Sequence, residues 1–492
     1  MVTIFEWLII YHFWFKKTEE TFLDKRQLWS LTAYEVVSLL RKKEVGPLEV
    51  LESSIARIEE VDSTINALPI KCFERAIEKA KKINIKRELT NPKSLLGLPI
   101  AIKDYNDLEG VRTTYGSDIF KNNIPIKSDA TVHQLELNGA NPVGKSNVPE
   151  WAGGHTFNPV HGVTRNPFNL ERTAGGSSGG SAAALASGQV WLATGNDLGG
   201  SLRTPAAFNN VVGLRPSIGL VPRGRRLQPF DSLWVEGPMA RNVTDVALML
   251  DSSVGHADED PLSFGSPFNS FLKSLGKFPL PSRVAFSEDL GIVPVSQEIR
   301  STTKKAVLSI QHLGIQISDE IPNFSGVLDA FHTLRGLLLA SMMGDLVSEH
   351  RSNILPDIIK NVEVGHKATS HDIINAEIIR KKITHSMIDF FKTHDFLICP
   401  TTSVAPFSIN EPFVSEIDGV KCKTYIDWFA ITFALTMTGC PVLSLPCGFT
   451  EAGLPVGIQI VGNPRQEGKL LAFAKSLEDH FNVSKFVPLK VF

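Results

Sequence analysis

The amino-acid sequence predicts an α/β protein built around a layered β-sheet. Short apolar runs that suit buried strands alternate along the chain with longer segments whose apolar residues recur at helical spacing. The chain has 492 residues, of which 43% are hydrophobic, so it can bury a large core. No internal repeat and no long linker rich in Pro, Gly and Ser divides it into independent units.

The predicted elements follow one another from the amino terminus. Two or three amphipathic helices are expected between Ser30 and Ala80, before a first strand at Leu98–Ile102. Glycines end two further predicted helices, because Gly139 follows the helix at 129–138 and Gly188 follows the helix at 181–186. The other predicted elements are strands at Val190–Thr194, Phe396–Ile398, Val442–Leu445 and Val456–Val461, and a last helix at Gly468–His480.

Two segments depart from this alternation without indicating a second fold. Residues 258–282 are predicted to form a connecting loop, and residues 327–391 a mostly helical cover. We therefore predict a single domain at residues 26–492. The apolar stripe at Leu337–Met343 within the cover is consistent either with core packing or with the wall of an acyl pocket.

The segment at residues 1–25 differs from the rest of the chain. Val2–Phe15 is apolar and aromatic, but it is too short to span a bilayer and is interrupted by Glu6 and His12. Its positive charges follow the apolar run, which argues against a secretory signal. A docking segment, a wrongly assigned start and an interfacial anchor with weak membrane association all stay open.

Charge and cysteine usage exclude several classes of function. The 50 basic and 52 acidic residues form no concentrated basic face, which argues against nucleic acid as a main partner. The five cysteines are scattered and contain no C-x-x-C pair, so neither a disulfide framework nor a structural zinc site is expected. This pattern favours a reducing compartment and predicts a cytoplasmic protein that holds no metal.

The segment Gly139–Ser146, GANPVGKS, matches the phosphate-loop pattern letter for letter. It provides the main alternative class of function, a nucleotide-binding protein. A phosphate loop must leave a strand and open a helix, so that backbone N–H groups face the phosphates. Here the preceding TVHQLELN is typical of a helix, and Pro142 removes one backbone donor. We therefore predict a helix end followed by a short strand.

Two glycine-rich segments carry serines with potential chemistry, TAGGSSGGSAAALASG at 173–188 and GNDLGGSLRTP at 195–205. A serine hydroxyl needs a base to remove its proton as it attacks. His155 and His161 are the nearest histidines, but no G-x-S-x-G elbow accompanies them. Lys103, at the end of the first strand, is the stronger candidate. Position alone leaves two interpretations, a surface lysine or a buried base.

These segments belong to an ordered set of motifs that resembles the amidase signature family, and within it the stand-alone amidases. The resemblance covers nearly everything after the first thirty residues and implies a large twisted mixed sheet flanked by helices on both faces. The motifs are GLPIAIKD at 97–104, GKSNVPEW at 144–151, TAGGSSGGS at 173–181, GNDLGGSLRTPAAF at 195–208, GLRPS at 213–217, GPMAR at 237–241, CPTT at 399–402 and GLPVGIQIVG at 453–462.

The resemblance implies a Ser-cisSer-Lys catalytic triad. Ser201 is the expected nucleophile, Ser177 the bridging serine beside a cis peptide, and Lys103 the base. The expected oxyanion hole consists of backbone N–H groups around Leu198, Gly199, Gly200 and Ser201. A free lysine with a pKa of about 10.4 is only about 0.04% neutral at pH 7, so the base must lie where burial lowers its pKa.

Four further residues receive expected roles, each beside a plainer interpretation. Asp197 and Arg203 are expected to pair beneath the glycine turn, although a surface ion pair stays open. Ser178 has two interpretations, a hydrogen bond to Lys103 or a helix cap. Trp151 is expected to form a wall of the substrate pocket, with core packing as the alternative.

The function implied by the resemblance is hydrolysis of a linear amide through a serine acyl-enzyme, with no cofactor and no metal. The expected partner is a small-molecule amide, and a homodimer stays open. The glutaminase subunit of a tRNA-dependent amidotransferase would use the same triad. The catalytic motifs do not separate these two roles, and nucleic acid is expected as a partner only in the second.

Overall fold

The computed structural model describes residues 25–485. Apart from Lys25, the N-terminal segment predicted at residues 1–25 lies outside this part of the chain. Within residues 25–485, no helix combines the length and apolar character that a membrane span requires.

A mixed sheet of eleven strands organises the described chain. The strands lie side by side in the order β1-β3-β2-β4-β6-β5-β10-β11-β9-β7-β8. Strand β2 runs parallel to β3 and β4, and β7 runs parallel to β8 and β9, whereas the other pairs are antiparallel. The strands are β1 Ile70–Lys71, β2 Pro99–Lys103, β3 Asn141–Ser146, β4 Leu192–Asp197, β5 Val212–Arg215, β6 Val235–Ala240, β7 Arg283–Phe286, β8 Gln316–Ser318, β9 Phe396–Pro400, β10 Val442–Phe449 and β11 Pro455–Val461.

Fourteen α-helices accompany the sheet within residues 25–485. Three of them, α10 to α12, occupy most of the segment predicted to form a helical cover. The helices are α1 Ala33–Lys42, α2 Pro47–Ile65, α3 Phe73–Lys82, α4 Ile85–Glu88, α5 Ala130–Leu137, α6 Gly179–Ala186, α7 Arg203–Phe208, α8 Val243–Ser253, α9 Gln297–Ser309, α10 Val327–His350, α11 Pro356–Lys367, α12 Ser370–Phe390, α13 Ala430–Thr436 and α14 Glu467–Phe481.

Both faces of the sheet are covered, because successive side chains of a strand point to opposite faces. Ile100 and Ile102 of β2 belong to a core that includes residues of α1, α5 and α8. Ala101, between them, belongs to a second core formed with α2, α3 and α6. The predicted α/β fold with a mixed sheet between helical layers is therefore confirmed.

Strand β6 is the longest of the five strands of this sheet that the sequence pattern did not predict, the others being β1, β5, β7 and β8. It carries Glu236, Gly237 and Pro238 yet lies inside the sheet between β4 and β5. Proline cannot donate to a strand ladder and is normally confined to edge strands or bulges. Its proline is the physical reason why VEGPMA does not have the pattern of a central strand, although the tertiary structure forms one.

Candidate active site

Lys103 is the last residue of β2 and lies fully buried at the carboxyl end of this strand. It points to the same face as Ala101, toward the start of α6. Its Nζ donates to Ser177 Oγ at 2.7 Å, to Ser178 Oγ at 2.8 Å and to Asn196 Oδ1 at 2.6 Å. Of the two interpretations of Lys103, the surface lysine is therefore wrong.

Ser177 and Ser178 lie in the turn that precedes α6. The peptide bond between Gly176 and Ser177 is cis. A Cβ at Gly176 would come within 2.2 Å of the Gly154 carbonyl oxygen, so a side chain cannot be accommodated there. Ser178 precedes the helix without a side-chain cap, and its hydroxyl accepts the Lys103 hydrogen bond instead.

Ser201 lies in the turn between β4 and α7, and Asp197 fixes the shape of this turn. The Asp197 carboxylate accepts from the backbone N–H groups of Gly200 and Leu202, at 2.9 and 3.2 Å, and pairs with Arg203 at 3.0 Å. Arg215 is a second partner of Asp197 at 3.0 Å. Burial alone would raise the pKa of Asp197, but the two guanidinium groups hold it well below its usual range.

One N–H group of the expected oxyanion hole has another partner in this structure. The Gly200 N–H is engaged by Asp197 and is therefore not directed at a reacting carbonyl. Within residues 25–485, the N–H groups of Leu198, Gly199 and Ser201 have no acceptor. Gly200 has a different function: its φ is 124°, and a Cβ there would meet Thr432 Oγ1 at 2.2 Å. Sequence spacing could not show which N–H group the aspartate engages.

The two candidate serines are neighbours, but their hydroxyl groups are not bonded to each other in this structure. The backbone N–H of Ser178 donates to the Ser201 carbonyl oxygen at 3.3 Å. No hydrogen bond joins Ser177 Oγ to Ser201 Oγ among the described residues. The structure thus brings Lys103 and Ser177 into contact and places Ser201 beside them.

Glu236 is a buried carboxyl group near Lys103 that none of the sequence motifs predicted. It lies opposite Asn196 in the pairing of β6 with β4, and the residue is 2% exposed. Asn106 Nδ2 and Trp234 Nε1 donate to its two oxygens, each at 3.1 Å. The only sequence signal was a charged residue immediately before the Gly-Pro pair of GPMAR.

Burial and charge act in opposite directions on Lys103. Burial lowers the pKa of Lys103 to about 7, while the charges of Glu236 and Asp197 act to raise it. Burial also raises the pKa of Glu236, against its hydrogen bonds and the attraction of Lys103. A lysine with a pKa near 7 is about half neutral at pH 7, which makes it competent to accept a proton.

For the amide hydrolysis that the motifs predict, kcat/KM should rise with pH as Lys103 loses its proton. Glu236→Gln is expected to move this rise to lower pH. The substitution removes a negative charge that stabilises the Lys103 ammonium, so the neutral amine persists at lower pH. Initial rates from pH 5 to 9 measure the rise, with the exposed Glu171→Gln as the control. An unchanged rise in Glu236→Gln would show that the Glu236 charge does not act on Lys103.

Neither candidate histidine contacts the serine cluster through its ring. His155 is buried, and its Nδ1 lies 3.1 Å from Thr173 Oγ1. His161 Nε2 lies 3.2 Å from Thr114 Oγ1. Burial lowers the pKa of His155 to about 4, which makes its ring a weak base.

The GANPVGKS segment forms a helix end and a strand, as predicted. Helix α5 ends at Leu137, and β3 then carries Lys145 in the sheet. Lys145 is fully buried and donates to Asp104 Oδ1 at 2.9 Å and to Thr113 Oγ1 at 2.6 Å. A lysine held in this way does not face a phosphate-binding loop.

Two cavities flank the lysine–serine cluster, and they share no lining residue. The nucleophile cavity contains Ser201 together with the aromatic side chains of Phe331, Trp428 and Phe429. The aromatic cavity contains Trp151, which stacks on Tyr115 with ring centroids 5.1 Å apart. Trp151 therefore lies outside the cavity that holds Ser201. Other walls of the aromatic cavity are formed by Leu339, Met342 and Met343 of α10.

Comparison with known proteins agrees with this architecture. The Amidase family model matches residues 49–471. A glutamyl-tRNA(Gln) amidotransferase A subunit, from Moorella thermoacetica, is 32% identical over 486 residues, covering 92% of this chain and 98% of that protein. A bacterial aryl acylamidase of the amidase signature family superposes with a TM-score of 0.86 at 29% identity, covering 93% of this chain and 98% of that one. A 6-aminohexanoate cyclic dimer hydrolase gives a TM-score of 0.84 at 25% identity, covering 94% and 99%.

The mixed sheet and the buried lysine–serine cluster are those of an enzyme that hydrolyses amides. The chain belongs to the amidase family, also called the amidase signature family.

Proposed function

We propose that this protein is a stand-alone amidase that cleaves a linear small-molecule amide through a Ser201 acyl-enzyme, with Ser177 and Lys103 as the proton relay. The observation that carries the proposal is the 2.7 Å hydrogen bond between the buried Lys103 Nζ and Ser177 Oγ. Burial supplies the lowered pKa that a lysine base needs.

In the first half of the reaction, neutral Lys103 accepts the hydroxyl proton of Ser177 as Ser177 accepts that of Ser201. Ser201 Oγ then bonds to the amide carbonyl carbon. Catalytic hydrogen bonds commonly tighten when substrate binds, and the relay requires this of the contact between the two serine hydroxyls. The tetrahedral intermediate collapses as the C–N bond breaks, and the departing nitrogen takes a proton back through Ser177.

In the second half, water attacks the Ser201 ester and passes its proton into the same relay. The C–O bond to Ser201 breaks, and the carboxylic acid leaves. The balance is one amide and one water converted to one acid and one amine or ammonia. Lys103 and both serines return to their starting protonation states.

Charge on the carbonyl oxygen is the main electrostatic demand of both halves. We assign its stabilisation to the N–H groups of Leu198, Gly199 and Ser201, with Gly200 shaping the turn. Preorganised donors of this kind are commonly worth about 3 to 4 kcal/mol each. The Asp197–Arg203 pair acts as a positioning element, since its hydrogen bonds hold the turn that carries these donors.

The glutaminase component of a tRNA-dependent amidotransferase is the second candidate function. The observation in its favour is the 32% identity to an amidotransferase protein over nearly the whole chain. The likeness to an aryl acylamidase and the aromatic walls of both cavities favour the stand-alone amidase. The two functions differ in whether glutamine is the preferred amide.

A substrate panel separates the two candidates. Purified protein is given glutamine, aliphatic primary amides, anilides and long-chain amides, and the release of ammonia or amine is measured. A stand-alone amidase should hydrolyse at least one non-glutamine amide more efficiently than glutamine. A strict preference for glutamine would favour the amidotransferase role, and release from none of the amides would contradict both.

A further inference from the structure

Arg335 is a buried cation in the wall of the nucleophile cavity. It lies on α10, one helical turn after Phe331, so both side chains reach the same face of this helix. The residue is 4% exposed overall, yet it lines the cavity that contains Ser201 and Gly199. No sequence motif drew attention to this residue.

The hydrogen-bond partners of Arg335 are neutral. Its Nη1 donates to Asn361 Oδ1 at 2.6 Å, and its Nη2 donates to Tyr425 OH at 2.9 Å. Asn361 Nδ2 also donates to Tyr425 OH at 2.6 Å, which links the two partners. These bonds use two of the five N–H groups that a guanidinium carries. Between residues 25 and 485, no carboxylate forms an ion pair with Arg335.

Three other buried arginines are compensated by charge. Arg203 and Arg215 both pair with Asp197 at 3.0 Å, and Arg223 pairs with Asp260 at 3.2 Å. A buried charge without a counter-ion is costly, and proteins retain one mainly where it has a function. Arg335 differs from these three because the cavity with the nucleophile lies beside it, where a ligand can supply the missing negative charge.

We propose that Arg335 binds a carboxylate on the acyl part of the substrate, an inference that rests on the proposed amidase function. A guanidinium matches a carboxylate in geometry, since parallel N–H groups can donate to both oxygens. Asn361 and Tyr425 are positioning residues that hold the guanidinium plane. The substrate class is therefore a carboxyamide, a chain with an amide at one end and a carboxylate at the other. Glutamine belongs to this class, so the substrate panel of the preceding subsection, and not this subsite, separates the two candidate functions.

The rest of the cavity fits such a substrate. The backbone around Gly199 and Ser201 contacts the reacting carbonyl in the proposed mechanism, and the guanidinium provides a separate subsite that binds an anion. Phe331, Trp428 and Phe429 line the same cavity and suit an apolar spacer between the two groups. Phe331 is itself held by stacking on Phe433, with ring centroids 4.2 Å apart.

The kinetic test compares acids and neutral amides of matched chain length. Succinamic, glutaramic and adipamic acids are assayed beside butyramide, valeramide and hexanamide. At least one acid should exceed its neutral counterpart in kcat/KM. Arg335→Met should lower kcat/KM for that acid by about 10- to 100-fold, because a hydrogen-bonded charge pair is lost. Valeramide should change by less than about threefold, and Arg335→Lys should restore part of the preference.

The exposed Arg351→Met is the matched control and should leave all these rates unchanged. The inference would be overturned if neutral amides were hydrolysed as well as the acids and if Arg335→Met did not change the ratio of the two kcat/KM values. The amidase function would still stand in that case. A preference for N-butyryl-β-alanine, whose carboxylate is on the amine part, would overturn the assignment to the acyl part.

A binding measurement separates this inference from the proposed mechanism. Glutarate is titrated by calorimetry into the Ser201→Ala protein and into the double variant Ser201→Ala/Arg335→Met. Glutarate should bind to the Ser201→Ala protein, and its affinity should fall at least about tenfold in the double variant. This result would support the carboxylate-binding subsite even if no amide is cleaved. Equal binding to both, or to neither, would contradict it.

Discussion

Ser201→Ala is expected to lower kcat for amide hydrolysis by about 10⁶-fold, the loss seen when a serine nucleophile is removed from a catalytic triad. The substitution removes the one oxygen that forms the acyl ester in the proposed mechanism. The backbone N–H groups of Leu198 and Gly199 remain, so a weak residual acceleration over water is consistent with the proposal. The fold should not change, because the Asp197 network that holds this turn uses the backbone rather than the Ser201 hydroxyl.

The measurement combines steady-state rates with fluorophosphonate labelling and mass spectrometry. The wild-type protein should be labelled at Ser201, and Ser201→Ala should be neither labelled nor active. An exposed serine elsewhere in the chain, in the variant Ser352→Ala, is the matched control and should behave as wild type. Full turnover by a Ser201→Ala protein with an unchanged thermal midpoint would eliminate Ser201 as the nucleophile.

The sequence predicted those parts of the site that lie within continuous motifs. Lys103 at the end of an apolar strand and the serines beside glycine pairs stood out as candidates in the local pattern, and their roles followed from the resemblance of these motifs to the amidase signature family. Strand β9, at Phe396–Pro400, was visible for a similar reason, since a buried strand forms a continuous apolar run. These features depend on neighbours in the chain.

Features that depend on distant parts of the chain were not predictable in the same way. Glu236 comes close to Lys103 only because β6 pairs with β4. The sequence did not indicate this strand, because Pro238 is atypical of a central strand. Arg335 becomes informative only when Asn361 and Tyr425 are seen to be its neutral partners. The engagement of the Gly200 N–H by Asp197 likewise depends on how the turn folds. Local patterns do not encode which charges remain uncompensated after folding.

Lys103→Ala is expected to reduce kcat by about 10⁴-fold, the upper range for loss of a general base. The amine that accepts the Ser177 proton is removed, and the hydrogen bonds to Ser177 and Ser178 are lost with it. In the wild-type protein, kcat/KM should rise as pH increases through about 7, since only the neutral form of Lys103 accepts a proton. The rise should disappear from the residual activity of Lys103→Ala.

A structural and a chemical role of Lys103 can be distinguished by rescue. Deletion of the side chain leaves space beside Ser177, so added methylamine should restore part of the Lys103→Ala activity, with a pH dependence set by the amine. Single His155→Ala and His161→Ala variants should retain hydrolysis, because their rings bond to Thr173 and Thr114 rather than to the serines. Loss of activity in either histidine variant, with Lys103→Ala unaffected, would instead require a histidine base, and the buried lysine would then have a structural role alone.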